Sequence, residues 1–178
     1  RMVKKDHPKA RICFIGPCAA KKLEANRKSV RSDVDFVLTF EELQGMFDAK
    51  EIDFAAIEPG PDDNMDEGTG MGRSFAVGGG VAAAVVEAIS HIDPDREVKI
   101  EYGDGLRECR KMLMMAKAGK RDGYLLEGMA CPGGCVAGAG TITPVRESVV
   151  NVEKFKNAAP EMSCVTSPHL DRLKEVEE

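Results

Sequence analysis

Short apolar, β-prone runs alternate with amphipathic helical stretches along this chain, and that alternation restricts the fold more than any other feature. Arg11 to Ile15 (RICFI) is apolar and β-prone and reads as a buried strand. Gly16-Pro17 breaks it, and Cys18 to Asn26 (CAAKKLEAN) reads as a short helix with Pro17 at its first position. Val34 to Phe40 is a second strand. Thr39 and Glu42 stand at capping-box spacing, so a helix follows with Leu43, Met46 and Phe47 on one face. Glu58 to Ser74 is rich in Gly, Pro and Asp and reads as a loop. Gly78-Gly79-Gly80 opens an Ala/Val-rich helix, Val81 to Ser90. Glu97 to Gly103 is strand, Gly105 to Ala118 amphipathic helix, Tyr124 to Leu126 a short buried strand, and Ser167 to Glu178 a surface helix. Strands that alternate with helices in this way predict an α/β fold, a mostly parallel sheet flanked by helices, in a single domain over residues 1–178.

Charge and cysteine usage narrow the chemistry. There are 30 acids against 25 Lys and Arg, and no basic block stands against that balance, so a nucleic-acid surface is not expected. No run of 18 apolar residues exists, so no membrane span is expected. Arg1 to Lys9 is polar and charged, unlike a signal or transit peptide, and a first residue of Arg reads as a piece of something longer. The 6 cysteines are too sparse for a disulfide framework, which favours a reducing, cytoplasmic setting. There, clustered cysteines point to metal or catalysis. Cys131 and Cys135 are the clustered pair, and Cys18 joins them because of its flanks. Cys13, Cys109 and Cys164 read as small buried hydrophobes.

Three constellations can carry chemistry. Cys18 lies between a strand end and a helix start, where free N–H groups and the helix dipole favour an anionic thiolate. Lys21 is three residues on, on the same helical face, and can donate to an anion beside Cys18. The alternative is a structural cysteine with a solvated lysine. Cys131-Pro132-Gly133-Gly134-Cys135 has C-x₃-C spacing, and near a helix start its two thiolates come within reach of adjacent irons of one cluster; the alternative is a Gly-rich turn with chance cysteines. Gly133 and Gly134 let the backbone approach closely and offer N–H groups to cluster sulfurs. Zinc is disfavoured, since a zinc site wants C-x₂-C with a matching pair, and His7, His91 and His169 show no such spacing. Phe75-Ala76-Val77-Gly78-Gly79-Gly80 matches no nucleotide fingerprint. It reads either as close helix packing or as backbone laid against a bulky ligand. The run Asp62 to Gly68 fails as a calcium loop, with Glu67 at the position that needs Gly.

Taken together, Pro17-Cys18-x-x-Lys21-x-x-Glu24 and, about 110 residues later, Glu127-x-Met129-Ala130-Cys131-Pro132-Gly133-Gly134-Cys135 resemble two of the three cluster signatures of the iron-only ([FeFe]) hydrogenase catalytic domain. The resemblance spans roughly residues 11 to 141 and implies the C-terminal lobe of that two-lobed domain. It implies a cofactor, the H-cluster, made of a [4Fe-4S] cubane and a di-iron subcluster with carbon monoxide, cyanide and a dithiolate bridge. Cys18 and Cys131 resemble cubane ligands, and Cys135 the ligand that bridges to the di-iron unit. Lys21 resembles the residue that holds a cyanide nitrogen, Met129 a pocket residue over the bridging carbonyl, and Phe75 and Ala76 the wall near the distal iron. Implied partners are an N-terminal lobe of the same protein and ferredoxin or another electron carrier.

The sequence also departs from the family. The remaining signature, T-S-C-C-P, is absent, Gly16 replaces the usual Met before Pro-Cys, and Val136 to Thr141 differs from the common G-G-G-x-P tail. The parent is therefore expected to interconvert protons, electrons and dihydrogen, and these residues alone to be inactive and without the cluster. A hydrogen-sensing relative and a non-enzymatic iron–sulfur assembly relative are the two alternatives.

Overall fold

The computed structural model describes residues 2–27, 29, 33–61, 63 and 67–171. They group into two units. The first takes in the described residues of Arg1–Met65, Gly138–Ile142 and Asp171–Glu178, and the second those of Asp66–Ala137 and Thr143–Leu170. The strand pairs in both are parallel and flanked by helices, as the alternation predicts. Among the described residues they form two separate two-stranded sheets.

The first unit runs α1 (Met2–Asp6), β1 (Cys13–Ile15), α2 (Ala20–Asn26), β2 (Phe36–Leu38) and α3 (Phe40–Ala49). Cys13 pairs with Phe36 and Ile15 with Leu38. Asp35 sets this pairing. Its carboxylate accepts from the Ile12 N–H at 2.8 Å, from Lys4 at 3.0 Å and from Arg11 at 3.2 Å. These donors, the Ile12 amide first, hold the Asp35 carboxyl down at about 2. The capping box forms as predicted: Glu42 N–H donates to Thr39 Oγ1 at 3.2 Å and Thr39 N–H to Glu42 Oε2 at 2.8 Å. Lys22 then joins three elements, its Nζ donating to the Val37 carbonyl at 3.1 Å and to Glu42 at 2.7 Å. The bond from Lys22, followed by that from Thr39, keeps the Glu42 carboxyl below its usual range.

Several expectations are corrected here. β1 is exposed along its length, because one partner strand and short helices leave its faces uncovered, and Cys13 is exposed with it. The helix expected from Cys18 starts at Ala20, with Ala19 as its cap, so Pro17 precedes the helix.

The second unit runs α4 (Gly70–Arg73), a 3₁₀ turn Ser74–Ala76, α5 (Gly80–Ile92), β3 (Lys99–Asp104), α6 (Leu106–Lys117), β4 (Tyr124–Met129), a 3₁₀ turn Cys135–Ala137 and α7 (Val145–Asn157). β3 and β4 pair in parallel from Lys99–Tyr124 to Asp104–Met129. α6 lies along both strands. Cys109 puts its sulfur against them and donates to the Gly103 carbonyl at 3.2 Å, so it is half-buried packing, as is Cys164 by exposure. The end of the expected loop 58–74 is helical, because Thr69 caps α4 through the Gly72 N–H at 3.1 Å. β4 continues three residues past Leu126. Most of the expected helix Ser167–Glu178 falls on residues 172–178, which lie outside the described residues, as do Asp62, Asn64 and Asp66.

Candidate functional site

In the second unit, the carboxyl ends of β3 and β4 bring the Gly-rich segments together. Gly78 N–H donates to the Gly133 carbonyl at 3.2 Å, and Gly133 N–H donates to Asp104 Oδ1 at 2.8 Å. Gly134 N–H closes a turn onto the Cys131 carbonyl at 2.9 Å. Gly133 and Gly134 have φ of 93° and 94°, which L side chains rarely adopt. A Cβ at Gly134 would also stand 2.5 Å from the Gly78 nitrogen and 2.8 Å from the Ala76 carbonyl oxygen. The glycine runs at 78–80 and 133–134 are thus pressed backbone to backbone. The Gly133 and Gly134 N–H groups, expected to face cluster sulfurs, are engaged within the unit.

Glu127 organises this contact. It is 9% exposed, and its carboxylate accepts from Gly79 N–H at 3.2 Å and Ala82 N–H at 2.9 Å. It therefore caps α5 from a neighbouring strand, satisfying two amides that the helix cannot satisfy itself. Its place in the second signature was the signal available in the sequence, but its two donors lie 45 and 48 residues away in the chain.

A cleft of about 590 Å³ opens here, lined among others by Gly79, Tyr102, Asp104, Glu127, Met129 and Gly133. Of the expected site residues, Met129 and Gly133 line it, while Gly134 packs against Ala76 and Gly78. Phe75, on the same turn as Ala76, is exposed. Cys131 opens the turn that Gly134 closes, and Cys135 begins the next 3₁₀ turn. Both are half-buried.

Cys18 and Lys21 belong to the first unit. Cys18 is half-buried, and its carbonyl accepts from Lys21 N–H at 3.3 Å. The Lys21 ammonium pairs with Glu24 at 2.6 Å, and both side chains line a small cleft of about 100 Å³ with Phe14 and Val37. Gly140 is fixed next to this loop. Its N–H donates to the Pro17 carbonyl at 3.0 Å, and its carbonyl accepts from Glu41 N–H at 3.2 Å. A Cβ on Gly140 would stand 2.3 Å from Thr39 Cβ, so only glycine fits.

The thiol donors suit iron–sulfur chemistry, but their number does not complete a cubane, which takes four. Within either unit, among the described residues, no group of three or more His, Cys, Asp or Glu side chains is placed to hold a metal ion. No described helix is long and apolar enough to cross a membrane.

The sequence profile of the iron only hydrogenase large subunit, C-terminal domain, matches residues 1–139. The periplasmic [Fe] hydrogenase large subunit of Nitratidesulfovibrio vulgaris is 34% identical over 157 residues, covering 71% of this chain and 37% of that protein. A probable cytosolic Fe-S cluster assembly factor of Drosophila virilis is 28% identical over 190 residues, covering 82% of this chain and 40% of the relative. The chain thus spans well under two thirds of the length of these relatives. The fold is shared with an apo [FeFe]-hydrogenase variant of Chlamydomonas reinhardtii, with TM-score 0.66 and 20% identity, covering 98% of this chain and 61% of the solved one.

Proposed function

The chain belongs to the family of the iron-only hydrogenase large subunit, C-terminal domain, and from that premise we propose that it is the cluster-binding lobe of a protein that interconverts protons, electrons and dihydrogen. In this reading Cys18, Cys131 and Cys135 would hold the iron–sulfur cluster, with Cys135 on the side of the di-iron subcluster, and the N-terminal lobe of the same protein would supply the fourth thiolate. When bound, the cluster would relay electrons from the carrier and offer an open iron position for hydrogen chemistry. The chain's own side chains do the rest. Glu24 steadies the Lys21 ammonium, which would donate to a cyanide nitrogen. Met129 lines the pocket, Phe75 and Ala76 would complete its wall once the cluster is bound, and the Gly133-Gly134 turn lets the backbone lie close. Electrons come from ferredoxin or a similar carrier, in the cytoplasm.

One observation supports this reading above the others. Both cysteine signatures, the one at Cys18 and Lys21 and the one from Glu127 to Cys135, fall inside residues 1–139, which match the family profile.

The test is Lys21→Ala in the parent protein. Loss of hydrogen turnover with the cubane's paramagnetic signal retained supports the hydrogenase. Unchanged function favours the assembly reading, which the likeness to cytosolic assembly factors brings forward. These 178 residues alone should show no turnover and no infrared bands of metal-bound carbon monoxide or cyanide. Such bands from the purified chain would overturn the proposed division of ligands.

A further inference from the structure

We propose that the outward face of α6 docks an acidic protein. At 3.6 residues per turn, Leu113, Leu106, Lys117, Arg110, Met114 and Arg107 fall in one arc of about 120°. The opposite arc holds Cys109, Met112, Met115 and Ala116, turned toward β3 and β4. All six outward residues are exposed, with Leu106 at 72%, Leu113 at 60% and Met114 at 63%. No acid lies in the arc. The nearby Glu108 is paired with Lys111 at 2.8 Å, on the flank. Among the described residues, the side chains of Arg107, Arg110 and Lys117 have no ion-pair or hydrogen-bond partner. The segment Leu106 to Arg121 holds six basic residues and one acid, inside a chain of net charge −5. The whole-chain balance conceals this local reversal of sign.

Cations interleaved with large apolar side chains are what a protein interface uses at its centre and rim. The occupant is anionic, by charge complementarity. A nucleic acid or an anionic bilayer fits less well. The arc has no aromatic side chain on which a base could stack. An extended polyanion would also meet the acidic remainder of the chain, whereas a small protein need face only this patch, within the Debye length of about 8–10 Å.

The patch also lies beside the cysteine turn. Gly105, which precedes α6, donates its N–H to the Met129 carbonyl at 2.8 Å, and a Cβ there would stand 3.4 Å from Pro132. The electron carrier of the proposed function is one such acidic protein, and to that extent the inference rests on that reading.

The experiment measures binding of a small acidic ferredoxin to this chain by calorimetry, at low and high salt. The variants are the triple reversal Arg107→Glu/Arg110→Glu/Lys117→Glu and, separately, Leu106→Ser/Leu113→Ser, each checked for fold by circular dichroism. A triple Arg107→Gln/Arg110→Gln/Lys117→Gln variant serves if the reversal unfolds. The expected result is salt-sensitive binding that weakens at least about tenfold with the charge changes and also weakens with the leucine changes. Ferredoxin binding that the charge variants leave unchanged would overturn this surface and leave the carrier reading standing. No binding by the wild-type chain would overturn the docking proposal, while the Lys21 experiment continues to judge the hydrogenase reading. Charge-dependent binding of phosphatidylserine vesicles or of a single-stranded oligonucleotide in place of ferredoxin would overturn it in favour of those ligands.

Discussion

Replacing Glu127 with alanine removes the acceptor for two backbone amides, those of Gly79 and Ala82. A buried donor left unsatisfied costs about 1–3 kcal/mol, and loss of a helix cap about 0.5–2 kcal/mol. The cleft beside Glu127 admits water to one side, so the lower half of the first range applies. The two amides together then give a loss of about 2–4 kcal/mol. For a chain of this size each kcal/mol lowers Tm by roughly 2–4 °C, so the expected fall is roughly 4–16 °C. Glu127→Gln keeps one carbonyl oxygen but turns an NH₂ toward the other amide, and should cost about half as much. The assay is urea unfolding, with the slope against denaturant checked for constancy, together with amide exchange at Gly78, Gly79 and Ala82. Exchange matters because Glu127 holds the loop whose Gly78 bonds to Gly133. Loss of the cap should speed exchange at all three amides before global unfolding. If Glu127→Ala and wild type unfold within about 0.5 kcal/mol and the three amides keep their protection, the assignment of Glu127 as the organiser of the glycine contact is wrong.

Three further perturbations test the first unit. Gly140→Ala places a Cβ 2.3 Å from Thr39 Cβ and should destabilise by at least the 1–3 kcal/mol typical of overpacking. Gly45→Ala, in α3 with nothing within 4 Å, should stabilise by about 0.5–1 kcal/mol. Equal denaturation midpoints for the two would refute the packing described at residue 140. Asp35 predicts a pH dependence. Its carboxyl sits at about 2 in the fold against an ordinary 3.8, so the stability it adds is complete above about 4 and is lost as pH falls toward 2. The gap in stability between wild type and Asp35→Asn should be flat at neutral pH and close over that acid window. A gap that persists unchanged to pH 2 would show that the pairing with Ile12, Lys4 and Arg11 contributes nothing.

What could be read from the chain followed the range of the interactions. The capping box at Thr39 and Glu42 was legible because both partners lie within one turn. Parallel pairing was legible because each strand returns through a helix. α7 was not read, although Val145, Val149 and Val152 keep helical spacing after Pro144, because its remaining residues are mostly polar. Glu127 stood out by its place in the second signature, but its capping role could not be read: a carboxylate in an apolar strand has no local partner, and its donors come from a helix that the fold alone places beside it. The basic arc of α6 was lost to averaging, since a helix face is a subset of positions and a net charge is not. Among the site residues, the contact of Gly78 with Gly133 was foreshadowed by glycine content alone. Which amides those glycines would spend on each other could not be.

The exposed first sheet carries the strongest tension between sequence and structure. Phe14, Ile15 and Phe36 are 38%, 46% and 56% exposed, although the runs that hold them have the composition of buried parallel strands. Two parallel strands are too few to stand alone, since independent stability needs a third strand or a covered face. Fully burying one such side chain is worth about 1.5–3 kcal/mol, so covering the exposed half of three would add roughly 2–4 kcal/mol. The local pattern thus encodes burial that the described residues do not provide. Under the proposed function, a cover from the N-terminal lobe would supply that burial, and the same cover would bring the missing thiolate. On that view, completing the core of the first unit and completing the cluster's ligand set are one event, and the cofactor's affinity is coupled to the docking of the two lobes.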